Sequence, residues 1–270
     1  MSYPELLRVQ RLLLVFTIIV AIPVVVTVCV GFFSHGTVST GAGAHTLITS
    51  YSLRDSIAEQ FTRERKSVPF FALESIAGLA ALVIASILGG FLANERSHTP
   101  LAWTKPVSRE RFALAYMGVD AAGIVASFLI ALVLGVFGIM WGLGMIRFTT
   151  VDPDVWTTLL LVGGGAFAYY GLVRAASQAF PERPSAIAGA SWPILLGLAA
   201  MHAAPIPTAL HDIIVALNFL NPLAYFGRVE SNGSDTGLLP LAGPLRIACL
   251  WLLAVVYGAV AVVLYRRAEA

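Results

Sequence analysis

Few residues of this chain could do chemistry, and apolar sequence separates them widely. Asp120 stands out. It lies inside a long apolar run, about 10 Å beyond the run's start at Ala113 at 1.5 Å per helical residue. An acid at the centre of a bilayer costs about 2.5–3.5 kcal/mol on insertion scales, so it needs water, a partner or a task. Two readings follow. Either Asp120 is reached by water or paired with an arginine at the same end, such as Arg174, or it lines the path of a transported substrate. Glu74 stands at the start of another run, where a helix N-terminus itself favours an acid. The histidines are His35, His45, His98, His202 and His211, and none falls into H-E-x-x-H or another tight ligand spacing. Pro205 and Pro207 separate His202 from His211, so the two share no helical face, and no metal site is expected. Gly163-Gly164-Gly165 and Gly41-Ala42-Gly43 carry no G-x-S-x-G nucleophile pattern. Close helix packing is the expectation for the first of these. No G-x-x-x-x-G-K-[ST] loop is present, since neither Lys66 nor Lys105 follows a glycine. If the protein runs on ATP, another chain binds it.

Composition names the solvent in which these residues work. Hydrophobic residues make up 58% of the 270 positions and charged residues 12%. Soluble domains carry roughly 25% charge, so a polytopic membrane protein is the default. A net charge of +2 gives no reason to expect nucleic acid. Cys29 and Cys249 both sit in apolar runs and are read as buried free thiols; two cysteines make no disulfide framework.

A bilayer core about 30 Å thick needs roughly 20 apolar helical residues. Six segments qualify: Leu12–Phe33, Phe70–Ala93, Ala113–Ile146, Val155–Val173, Ala186–Ala204 and Leu245–Tyr265. The fold class expected is therefore an all-α membrane protein with six transmembrane helices in a single domain over 1–270. The third run would be about 51 Å long as a helix, so it must tilt, kink or project. The first is too long for a signal-peptide core and is read as retained. Residues 3–11 read as an N-terminal amphipathic, interfacial helix that turns into the first span. Residues 34–69 read as a Gly/Ser/Thr loop followed by a surface helix around 50–66. Between spans five and six, Thr208 can cap a short helix that Asn221-Pro222 ends. That helix is too short to span, so a re-entrant or interfacial place is expected.

Loop arginines and lysines set the orientation. With the N-terminus inside, ten of the seventeen lie on inner segments and seven on outer ones. Both termini are expected on the cytoplasmic side of the inner membrane. The cluster Arg63, Arg65 and Lys66 pulls the other way.

Between spans two and three lies a polar, basic, proline-punctuated island, Asn94–Arg111. A solvated loop with positive-inside charge would account for part of it. Its length, its Trp103 and a Pro106-Val107-Ser108-Arg109 turn suited to starting a helix go beyond that. The island resembles the loop between membrane helices two and three of ABC-2-type permeases, the membrane subunits of one class of ATP-binding-cassette transporter. That family shows a glutamate, a Gly-Thr pair and a Leu-rich run closing in (Lys/Arg)-Pro-Val-Ser-Arg. Here stand Glu95, Thr99 and Lys105-Pro106-Val107-Ser108-Arg109; His98 replaces the family's glycine and Pro100 follows the threonine.

The resemblance implies that Glu95, Arg96, Thr99, Leu101, Trp103, Thr104, Lys105, Pro106, Val107, Ser108 and Arg109 form a cytoplasmic coupling helix. That helix would dock on a separate ATP-binding-cassette ATPase subunit. The chain itself would hold no cofactor, because the partner would bind ATP and Mg, and it would pair with a second permease copy or paralogue in the lipid bilayer. Asp120 and Asn221 are the residues expected near a substrate path, with export as the expected direction. The chain would be a transporter subunit rather than an enzyme. The alternatives are a polytopic membrane enzyme, for which only Asp120 and His202 offer themselves, and a non-transporting accessory or assembly protein. A permease dedicated to metalloenzyme maturation is a further alternative, motivated by His35 and His45.

Overall fold

The computed structural model describes residues 3–33, 35–40, 47–64, 68–91, 109–151, 155–180, 182–202, 207–226 and 238–267. Helix α1 covers Tyr3–Phe33, α2 Leu53–Arg63 and α3 Phe70–Phe91. Helix α4, Arg109–Leu129, runs through a π-helical stretch, Ile130–Val136, into α5, Phe137–Gly142. Then come α6 (Val155–Ala179), α7 (Pro184–His202), α8 (Thr208–Asn218) and α9 (Gly243–Arg267). Among the described residues, six helical segments are long and apolar enough to cross a membrane: α1, α3, α4 through α5, α6, α7 and α9.

Small residues decide which helix is central. Of the most apolar stretch of α6, 67% is buried, against none of that of α1. Helix α6 packs on α3, α7 and α9. A Cβ on Gly164 would come 3.0 Å from Trp251 of α9, and one on Gly171 would come 3.1 Å from the Gly258 backbone nitrogen. The glycine run therefore brings helices together, as its sequence suggests. The Trp251 indole N–H donates to the Leu160 carbonyl at 3.1 Å. On the opposite flank, Gly78 and Gly89 of α3 meet Val162 and Tyr170 of α6.

Helix α1 lies along the third span through a valine ridge set into a glycine groove. Val20, Val24 and Val28 face Gly135, Gly138 and Gly142, where added Cβ atoms would approach to 3.0, 2.8 and 3.0 Å. The groove crosses the π-helical stretch, whose i→i+5 turns locally widen the 34-residue helix. A Schellman motif ends it: Gly144 adopts φ 70°, its N–H bonds the Trp141 carbonyl, and the Met145 N–H reaches Met140.

Four expectations change. Residues 3–11 form no separate interfacial helix but the first turns of α1, because no Gly or Pro after Pro4 interrupts the helix before Pro23, and it continues through that residue. The expected loop after the first span contains a hairpin, His35–Thr40 paired antiparallel with Leu47–Ser52, before α2. Its Thr, Val, Ile and Tyr residues suit strands. Pro207, not Thr208, occupies the cap position of α8, with extended φ −53°, ψ 141°. Cys29 is exposed on the outer surface of α1 rather than buried, and Cys249 is half-buried. A two-residue parallel bridge, Val68–Pro69 with Thr149–Thr150, joins the segments entering α3 and leaving the third span.

Candidate functional site

Contacts between helices sort the polar residues into two ends of the bundle. Val9 of α1, Leu88 of α3 and Gly123 of α4 meet at one end, the end where α3 stops at Phe91 and α4 starts at Arg109. Residues 92–108 lie outside the described residues, and with them Glu95, Arg96, Thr99, Leu101, Trp103, Thr104, Lys105, Pro106, Val107 and Ser108 of the island. Arg109 is the first described residue of α4, three positions after Pro106.

Inside that end, three spans share one polar cluster. Asp120 of α4 and Arg174 of α6 are 2.9 Å apart through Oδ2 and Nη1, each side chain 1% exposed. The Tyr170 hydroxyl donates to the same Oδ2 at 2.7 Å, and Arg174 Nη1 also donates to the Tyr170 oxygen. The Arg174 guanidinium lies 5.3 Å from the centroid of the Tyr116 ring. The Tyr116 hydroxyl in turn accepts from Nη1 of Arg8 on α1. A continuous series of charge, hydrogen-bond and cation–π contacts thus runs from α1 through α4 to α6. Periodicity explains the convergence: Tyr116 and Asp120 are four apart on α4, and Tyr170 and Arg174 four apart on α6, so each pair shares a helical face. One further turn along α6, Ser177 Oγ and Gln178 Oε1 are buried with no hydrogen-bond partner among the described residues.

In low dielectric the two charges attract strongly, but each has lost its water. The tyrosine hydroxyl and the ring face supply part of what hydration would have given. Of the two readings of Asp120, the pairing with Arg174 is what the structure contains. Sequence reasoning reaches Asp120 and Arg174 but misses Arg8, Tyr116 and Tyr170. The i, i+4 spacing of a tyrosine before each charged residue is the available signal.

Asn221 lies at the other end, 0% exposed and fully engaged. Its Nδ2 donates to the Leu195 carbonyl at 2.9 Å and to Asn218 Oδ1 at 3.1 Å, while its Oδ1 accepts from the Leu223 N–H at 3.0 Å. Asn218 Nδ2 donates to the Leu198 carbonyl at 3.1 Å. These two amides fasten α8 against α7. Asn221 also opens a 3-10 turn, Pro222–Tyr225. Burial pushes the Tyr225 hydroxyl up to about 12, and it donates to the Phe219 carbonyl.

The same end holds features the sequence left apart. The rings of His202 and His211 are in contact, with centroids 5.5 Å apart. Glu74 is 2% exposed one turn into α3, and its Oε2 has no hydrogen-bond partner among the described residues. Arg246 of α9 is fully buried and donates to the Leu241 carbonyl. Among the described residues, no three or more of His, Cys, Asp and Glu gather closely enough to hold a metal. No protein-family model matches the chain, and comparisons with curated proteins and with solved structures found no match.

Proposed function

We propose that the chain is the membrane-spanning permease subunit of an ATP-binding-cassette transporter, driven by a separate ATPase subunit. The observation that carries this reading is the island Asn94–Arg111, with its Lys105-Pro106-Val107-Ser108-Arg109 close, between two apolar helices. Three features support it. The sequence has six apolar runs and no nucleotide-binding loop of its own, so ATP and Mg belong to the partner. The island is anchored by the end of α3 and the start of α4. Those anchors stand beside the Arg8–Tyr116–Arg174–Asp120–Tyr170 cluster, which ties α1, α4 and α6 into one unit.

In this reading the island docks on the ATPase, and nucleotide-driven closure of two ATPases moves the ends of α3 and α4 in two permease subunits. Because the buried cluster locks α4 to α1 and α6, a push at Arg109 is passed to three spans together rather than bending one. Asp120 then serves as a transmission contact, and the bundle is a two-state element biased by its partner. Export is the direction proposed.

Co-expression with an ATP-binding-cassette ATPase from the same source, sought first in the adjacent reading frames, tests the reading. The two should purify together, and Arg109→Glu or Trp103→Ala should weaken that association at least severalfold without lowering the amount of folded permease. A chain that purifies alone, and whose transport phenotype survives deletion of that ATPase, would overturn it.

A further inference from the structure

His202 ends α7 and His211 lies in the first turn of α8, at the end of the bundle opposite Arg174. Their ring centroids are 5.5 Å apart and the rings are inclined by 34°. The approach is built into the fold. Asn218 and Asn221 bind the Leu198 and Leu195 carbonyls, so α8 is held back along α7, and the His211 N–H bonds the Pro207 carbonyl at 3.0 Å. Both rings are half-buried. His202 Nδ1 is shut off from solvent and has no hydrogen-bond partner among the described residues. Buried polar atoms are nearly always partnered, so an idle ring nitrogen beside a second imidazole asks for a ligand.

The spacing suits a metal ion. A nitrogen–metal bond of about 2.0–2.1 Å places a ring centroid about 3.2 Å from the ion, and with one nitrogen of each ring turned to the ion, centroids 5.5 Å apart enclose an angle of about 120° at it. That angle lies in the tetrahedral-to-trigonal range and far from a linear pair. We infer that His202 and His211, after a small rotation of the imidazoles, form a two-ligand site for a late first-row transition ion, Zn2+ or Cu2+. Imidazole suits both ions, while Mg2+ and Ca2+ favour oxygen ligands. Two protein ligands leave the remaining positions to water or to a ligand carried with the ion. The site is therefore of the exchangeable kind, unlike a closed structural site with four protein ligands. Occupation would clip α8 to the end of α7. The inference does not depend on the chain being a permease.

The test uses the full chain in lipid nanodiscs. With one equivalent of Cu2+, the electron paramagnetic resonance spectrum should show hyperfine coupling to two imidazole nitrogens. His202→Gln and His211→Gln should each reduce this to one and weaken Zn2+ binding at least tenfold. Zn2+ should raise the unfolding temperature of the wild-type chain, and Mg2+ at the same concentration should not. A wild-type spectrum with one imidazole nitrogen or none overturns the proposal, as does unchanged Zn2+ affinity in both variants. Because His35, His45 and His98 can also bind copper, the loss of one nitrogen in each variant is what assigns the pair, while a wild-type count below two overturns the proposal even where a variant fails to fold.

Discussion

Asp120 and Arg174, 54 residues apart in the chain, meet at 2.9 Å with 1% of each side chain exposed. The pair joins the third apolar span to the fourth, and Tyr170 and Tyr116 surround it. A contact of this kind is expensive to break from one side, because the surviving charge keeps its burial and loses its partner.

Asp120→Ala and Arg174→Ala should therefore each destabilise the chain by about 3–5 kcal/mol, as is typical for one broken half of a buried ion pair. The double change Asp120→Leu with Arg174→Met should cost less than either single change. Thermal unfolding in nanodiscs measures all three. Equal or greater damage in the double variant would show that the two charges do not depend on each other.

The valine ridge and glycine groove give a second pair. A Cβ on Gly138 would meet Val24 Cγ1 at 2.8 Å, so Gly138→Ala should cost about 1–3 kcal/mol by overpacking. Val24→Ala should recover much of that loss. A double-mutant cycle on unfolding temperature reads the coupling, and strict additivity would mean that α1 does not sit in this groove.

Asn221 uses both faces of its amide, so the choice of substitute is informative. Asn221→Asp keeps the acceptor for the Leu223 N–H but turns a donor into an acceptor facing the Leu195 carbonyl and Asn218 Oδ1. It should destabilise α8 at least as much as Asn221→Ala, by about 1–3 kcal/mol for the buried groups left unmatched. Faster amide hydrogen exchange confined to α8 and the following turn is the expected readout. Exchange unchanged in α8 would argue against the clamp.

Gly144 holds φ 70° at the end of α5. Gly144→Ala should cost about 1–2 kcal/mol, the penalty of a left-handed conformation for a residue with a Cβ. Gly118, with no atom within 4 Å of an added Cβ and no positive φ, is the control, and Gly118→Ala should be neutral or stabilising. Unfolding temperatures of the two variants decide the matter.

The six apolar helices can be read from the sequence because a span is a local property: about 20 apolar residues in a row, whatever they touch. The packing role of Gly163–Gly165 is legible for a similar reason, since small residues in an apolar run leave few alternatives. The hairpin at 35–52 is harder to see, because short polar strands carry no strong period. Residues 3–11 read as amphipathic, yet no helix-breaking residue stands between them and Pro23. A change of polarity along a helix does not end it, so no boundary falls between residues 11 and 12.

The candidate sites divide the same way. The chain alone determined which residues were chemically unusual, Asp120 and Arg174 among them, because a charge in an apolar run is unusual wherever the fold puts it. Only tertiary structure decided that Tyr116, Arg8 and Tyr170 complete their cluster. It alone turned Asn221 inward against α7 and brought His202 to His211. Such contacts depend on the rotation of one helix against another and on how a short helix lies back along its neighbour. Those quantities follow from packing over the whole bundle, and no single segment encodes them.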